Sequence, residues 1–220
     1  MAASGRGGLV PLELAGPAGR LEAVLKLPAG APRLAAVLAH PHPLFGGTMH
    51  NKVVFAAARR LEAHGAAVLR FNFRGVGASE GAHDQGRGER LDLIAALDEL
   101  RRRFPGLPLL AGGYSFGCFV ALSAGAEGHA DLLLGLAPPV GHYAFAFLRT
   151  SSVPLAVVSG EDDPLAPVEG LSQETRHWPG LRHWELLPGV PHDLAADRDL
   201  LDTALDRAIS QLRSAMNAVR

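Results

Sequence analysis

Apolar residues along the chain fall into two kinds of run, and the order of those runs sets the expected architecture. LAAVLAH (34–40), AAVLRFNF (66–73), LPLLAGGY (107–114), DLLLGLA (131–137) and VPLAVVS (153–159) are short and apolar nearly throughout, as strands buried on both faces are. Between them lie longer segments, 52–64, 88–104, 116–126, 168–177 and 193–217, whose apolar positions recur at helical spacing. LRHWELL (181–187) alternates instead and suits a sheet edge. Ahead of all these, Val10 to Leu14 and Leu21 to Leu27 flank the turn-forming GPAG (16–19), which predicts a hairpin. Strands alternating with helices predict an α/β fold: a mostly parallel sheet, helices on both faces and an antiparallel N-terminal edge. In such sheets ligands collect beyond the carboxyl ends of the strands, so functional residues are expected just after each strand.

Composition narrows the setting. At 220 residues with a formal net charge of −1, the chain suits one domain over 1–220, with residues 1–8 a loose tail. That charge gives no field to gather nucleic acid or an anionic membrane, and Arg101, Arg102 and Arg103 read as the solvated end of a helix. Cys118 is the one cysteine and cannot form an internal disulfide. The first residues lack the apolar core of a secretory signal, and no apolar run reaches the length of a membrane span. These features lead us to expect a cytoplasmic protein, monomer or homodimer, without nucleic-acid or membrane partners.

Two segments match Gly-x-Ser-x-Gly, GASEG (77–81) and GYSFG (113–117). Ser79 follows its strand only after the loop RGVG (74–77) and leads into GAHDQGRG, which has no helical period; it reads as a loop serine. Ser115 is preceded directly by an apolar strand and followed at once by the helical FGCFVALSAGA. That is the strand, turn and helix context of a nucleophile held in a sharp turn, where only small residues fit two positions before and after it, as Gly113 and Gly117 do. It also sets the hydroxyl at a helix N-terminus, where developing negative charge is favoured.

A serine hydroxyl needs a base, and the base an orienting acid. Among ten histidines, His192 in LPGVPHD (187–193) lies just beyond a strand's carboxyl end; His64, His129, His177 and His183 do not. The acid is sought after VPLAVVS, where Glu161, Asp162 and Asp163 are adjacent and spacing does not choose among them. His40 and His42 also permit a metal reading, but no third ligand of suitable spacing follows.

With its elbow GYSFG, then acid, then histidine, the chain resembles the α/β-hydrolase superfamily. HPHPLFGGTMHNKVV (40–54), FNFRGVGASEG (71–81) and GERLDLIAAL (88–97) look like the small lidless bacterial hydrolases related to dienelactone hydrolases and serine aminopeptidases, a likeness running from about Leu9 to about Leu212. Asn72 departs from the aspartate that broader relatives often carry and is read as a structural loop position. The resemblance selects Asp163, because the acid loop of that family commonly reads Gly-x-x-Asp-x-x-x-Pro, here GEDDPLAP (160–167). It also implies two backbone oxyanion donors, Phe116 and one from HPHPLFGGTM (40–49). Pro41 and Pro43 have no N–H, which leaves His42 or Leu44, with Leu44 preferred.

Only PPVGHYAFAFLRTSS (138–152) stands where many such proteins insert a cap, and it is too short for one. Tyr143 and Phe145 within it are expected to line an open substrate pocket. The expected activity is hydrolysis of a small-molecule, short-chain ester through Ser115, His192 and Asp163, with no cofactor and no metal. Thioesterase or peptidase chemistry would use the same residues, and a non-catalytic binding module on the fold is the alternative of a different class.

Overall fold

The computed structural model describes residues 8–217. Its elements, in chain order, are β1 (Leu9–Gly16), β2 (Gly19–Lys26), β3 (Leu34–Ala39), α1 (Lys52–Ala63), β4 (Ala66–Phe71), α2 (Arg87–Arg103), β5 (Leu109–Tyr114), α3 (Phe116–Ala124), β6 (Leu132–Leu136), β7 (Leu155–Gly160), α4 (Val168–Thr175), β8 (Leu181–Leu187) and α5 (Arg198–Asn217). Among the described residues the eight strands make one sheet in the order β1-β2-β4-β3-β5-β6-β7-β8. β1 and β2 pair antiparallel, β2 meets β4 antiparallel, and every later pairing is parallel. The hairpin thus forms the expected antiparallel edge, and the alternating LRHWELL forms the other edge.

The continuous apolar strands have two faces to bury. Along β3, Ala35, Val37 and Ala39 join one core, while Leu34, Ala36 and Leu38 join the other. The first core packs under α2 and α3 through Leu93, Leu97, Leu100, Val120 and Ala121. The second packs under α1 and α5 through Val53, Ala57, Leu61, Leu205 and Ile209. Each fully buried Leu or Val in these cores contributes about 1.5–3 kcal/mol.

The chain passes from β3 through α1 to β4 on one side, then through α2 to β5 on the other side of β3. The connections leaving β3 and β5 therefore diverge at their carboxyl ends, and a crevice opens at that switch point. Residues 40–49 follow β3 there, and Ser115 follows β5.

Local chemistry shifts several expected boundaries. β4 ends at Phe71, since the Phe73 N–H donates to His40 Nε2 (3.0 Å) and not to a strand. The last helix begins at Arg198 and not at 193. Asp193 caps a separate short turn over Leu194–Ala196 by accepting from the Ala195 N–H (3.2 Å), and Asp197 then caps the helix by accepting from the Leu200 N–H (3.0 Å). The tail expected at 1–8 lies, apart from Gly8, outside the described residues; Gly8 itself extends the hairpin by accepting from the Leu27 N–H (3.0 Å). Among the described residues, no helix is long and apolar enough to cross a membrane.

Candidate active site

Ser115 stands between β5 and α3 with φ 56° and ψ −120°, a left-handed conformation that costs a non-glycine residue about 1–3 kcal/mol. Three backbone bonds hold it there. Its N–H donates to Leu136 O (2.9 Å), and its carbonyl accepts from the N–H groups of Cys118 (2.9 Å) and Phe119 (3.2 Å). The flanking glycines are required by close approach: a Cβ on Gly113 would lie 2.3 Å from Gly117 O, and one on Gly117 only 2.4 Å from His40 O. The second of these contacts matters for the site, because it seats the loop after β3 directly on the turn that carries Ser115.

Ser115 Oγ lies 2.9 Å from His192 Nε2, and His192 Nδ1 lies 2.7 Å from Asp163 Oδ2. The serine hydroxyl donates to Nε2 while the Nδ1–H donates to the carboxylate. Asp163 is only 2% exposed, and its Oδ1 accepts from the Leu165 N–H (2.8 Å). Asp162, the neighbouring candidate, points outward and is exposed. The loops carrying Asp163 and His192 are tied by the Glu161 N–H on Leu187 O (2.9 Å) and the Asp162 N–H on Val190 O (3.0 Å). A Cβ on Gly160 would lie 2.1 Å from Val190 O, so only glycine lets these loops approach. Tyr114, next to the serine, donates its hydroxyl to His192 O (2.9 Å) and stacks its ring on the imidazole. Burial pushes the Tyr114 phenol well above its usual range, which keeps it a donor.

The loop after β3 is built around two histidines with different work. His40 is fully buried; its Nδ1–H donates to Pro41 O (2.6 Å) and its Nε2 accepts from Phe73, so both ring nitrogens are engaged. Burial pushes its pKa down to about 4, and the ring stays neutral. His42 opens a single turn over Pro43–Phe45, and its Nδ1 accepts from the Leu44 N–H (3.2 Å). The Leu44 N–H is therefore already committed, and its side chain is 70% exposed. The His42 backbone N–H has no hydrogen-bond partner among the described residues. Neither can the Phe116 N–H find one within its own helix, since it is the first helical residue.

The other singled-out residues resolve as follows. Ser79 is buried and fully used in holding its loop: its hydroxyl donates to Asn72 O (2.7 Å) and accepts from the Glu22 N–H (3.0 Å). Asn72 bridges the same region, accepting from the Met49 N–H (2.8 Å) and donating to Glu22 Oε2 (2.7 Å). Tyr143 is half-buried, with its ring 4.6 Å from Phe119 and 6.0 Å from Phe116. Phe145, expected beside it on the pocket wall, is only 2% exposed. It packs on Phe119 and Trp178, so its ring belongs to the core. Sequence reading missed Tyr114, although its place as the aromatic at the second position of GYSFG gave a local signal. Among the described residues no cap covers the site, because residues 138–152 form little more than one short turn at Ala146–Arg149. A cavity of about 610 Å3, lined by Pro28, Arg33, Arg59, His64 and Arg213, lies at the amino ends of β3 and β4, away from Ser115.

Comparison with known proteins agrees with this architecture. A serine hydrolase without lid from Xanthomonas campestris superposes with a TM-score of 0.86 at 31% identity, covering 96% of each chain. An alpha-beta serine hydrolase homologue from Coxiella burnetii gives 0.85 at 32%, over 90% of this chain and 96% of that one. An uncharacterized protein of Rickettsia prowazekii is 37% identical over 159 residues, 70% of this chain and 67% of its own. Residues 31–144, the stretch from β3 past the Ser115 turn, match the serine aminopeptidase (S33) family. The chain belongs to that family and is a serine hydrolase of the α/β-hydrolase fold.

Proposed function

We propose that this hydrolase is a carboxylesterase acting on short-chain acyl esters, with Ser115 as nucleophile, His192 as base and Asp163 as the acid that orients it. The observation that carries the reading is the hydrogen-bonded line from Asp163 through His192 to Ser115, at 2.7 and 2.9 Å, with no cap over it among the described residues. Ser115 Oγ attacks the ester carbonyl carbon while His192 Nε2 takes its proton, and Asp163 offsets the charge of the imidazolium. The carbonyl oxygen becomes an oxyanion between the N–H groups of Phe116 and His42. His42 is the better second donor because Leu44 already spends its N–H on the His42 ring. The intermediate then breaks its bond to the alcohol oxygen, which leaves with the proton from His192. Water, deprotonated by the same imidazole, releases the acid from Ser115.

Openness is what favours small esters. Amide cleavage demands a larger barrier reduction, drawn from binding energy along the rest of the substrate, and an uncapped site offers little surface for that. Long acyl chains gain little here for the same reason. Across p-nitrophenyl esters, kcat/KM is expected to fall steeply beyond short acyl groups. Faster turnover of decanoate than of butyrate would overturn the short-chain reading, and a higher kcat/KM on an aminoacyl amide or an acyl-CoA would replace the esterase with a peptidase or thioesterase.

A further inference from the structure

Beside the proposed oxyanion donors, the wall of the site carries polar side chains that hydrolysis itself does not use. His83, from the loop between β4 and α2, has its ring 4.9 Å from that of His42 and 5.7 Å from that of Phe116; His42 in turn lies 4.9 Å from Phe116. Both imidazoles therefore flank the residue that follows Ser115. Behind His83 is Glu89, wholly buried, with Oε1 accepting from the Asp84 N–H (2.9 Å) and Oε2 from the Gly86 N–H (2.8 Å). Glu89 Oε1 also stands 2.7 Å from His83 Nδ1. That approach lacks hydrogen-bond alignment, yet a carboxylate facing one ring nitrogen favours the proton on that nitrogen.

The two rings consequently present opposite chemistry to the site. His42 Nδ1 accepts from Leu44, so the neutral ring carries its proton on Nε2 and donates there. Burial lowers the His42 pKa, which favours that neutral form. In its neutral form His83 holds its proton on Nδ1, toward Glu89, which leaves Nε2 as an acceptor. Neither Nε2 has a partner among the described residues, and neither is a buried unpaired atom, so both are open to solvent. A hydroxyl is the group that satisfies such a pair at once, accepting from His42 and donating to His83. A methylene in its place would leave a donor and an acceptor stripped of water and unpaired.

Sheet order says which part of the ester lies there. His192, which hands the proton to the leaving alcohol, follows β8 on one side of β5; His42 and His83 follow β3 and β4 on the other. The alcohol thus leaves away from the imidazole pair, and the acyl chain is the part that can reach it. We propose that the preferred substrates are short esters whose acyl chain carries a hydroxyl, recognised by the side chains of His42 and His83, with Glu89 positioning His83. This rests on the esterase reading above.

The test compares kcat/KM for ethyl 3-hydroxybutyrate, ethyl butyrate and the monoethyl ester of succinic acid in the wild type, His83→Phe and His83→Gln. Fluorophosphonate labelling of Ser115 serves as the control that each variant is folded. The hydroxy ester is expected to exceed ethyl butyrate by about tenfold in the wild type. That ratio should fall to about one in His83→Phe, while His83→Gln, whose amide oxygen still accepts, should keep part of it. A merely structural role for His83 would lower both esters alike and leave the ratio intact, which would overturn the proposal. So would equal rates on the two esters in the wild type, or a preference for the succinate ester, which would mean that the pair binds a carboxylate. If none of the three esters is hydrolysed, the esterase reading itself falls; if plain esters are cleaved without hydroxyl preference, only this inference does.

Discussion

Replacing Ser115 by alanine is expected to lower kcat on a short ester by on the order of a millionfold, while Ser79→Ala leaves it nearly intact. The two serines share the Gly-x-Ser-x-Gly pattern, so the comparison isolates position from motif. Ser115 Oγ has an imidazole nitrogen at 2.9 Å and stands at the start of a helix with free N–H groups nearby. The Ser79 hydroxyl has no base; it donates to one backbone carbonyl and accepts from one backbone N–H. Its loss leaves Asn72 O and the Glu22 N–H short of a partner, and about 1–3 kcal/mol of stability goes with it. The measurements are kcat on p-nitrophenyl butyrate and the midpoint of denaturation for both variants. Comparable losses of activity from the two would sink the assignment of Ser115, as would fluorophosphonate labelling at any residue other than Ser115.

Asp163→Asn is expected to lower kcat by on the order of ten-thousandfold, with the fold retained. The amide keeps the shape and the bond to the Leu165 N–H through its oxygen, but it turns an N–H toward His192 Nδ1. That stabilises the imidazole tautomer with its proton on Nε2, which cannot accept from Ser115, and it removes the charge that offsets the imidazolium. Asp162→Asn makes the same change in net charge one residue away, at an exposed position, and should cost no more than about 1 kcal/mol in transition-state stabilisation. A general electrostatic effect would strike both variants alike. If Asp162→Asn proves the crippled one, the acid loop is read one residue out of register.

What the sequence by itself determined is what neighbouring residues encode. Continuous apolar runs flanked by helical periods are enough to predict strands buried on both faces, because a strand such as LAAVLA has no polar side to turn to water. The turn at Ser115 is legible for the same reason: strand, glycine, serine, glycine and helix are contiguous, and the clash that demands Gly113 arises within that segment, although the one at Gly117 comes from Ala39 and His40 at the end of β3. His192 could be placed at a strand's carboxyl end from its neighbours alone. The choice among Glu161, Asp162 and Asp163 could not. Residue spacing left it open and only the resemblance, through GEDDPLAP, selected Asp163; the contact itself depends on how the loops after β7 and β8, 29 residues apart at Asp163 and His192, lie against each other.

Other features belong to tertiary structure entirely. Which N–H of the loop after β3 is free turns on a side-chain rotamer, the His42 ring folding back on Leu44, and no sequence pattern reports that. Phe145 and Tyr143 look alike in a loop of aromatics, yet one packs on Trp178 and the other stays half-buried beside Phe119. The last helix starts five residues later than its apolar period suggests, because Asp193 and Asp197 each cap a separate turn. His83 comes from a glycine-rich loop without helical period and Glu89 from the helix start after it; only the packing of that loop sets His83 against Phe116 and His42, with Glu89 behind it. Contacts between residues close in the chain are written in its local pattern, whereas contacts between distant loops exist only once the sheet has fixed the order of its strands.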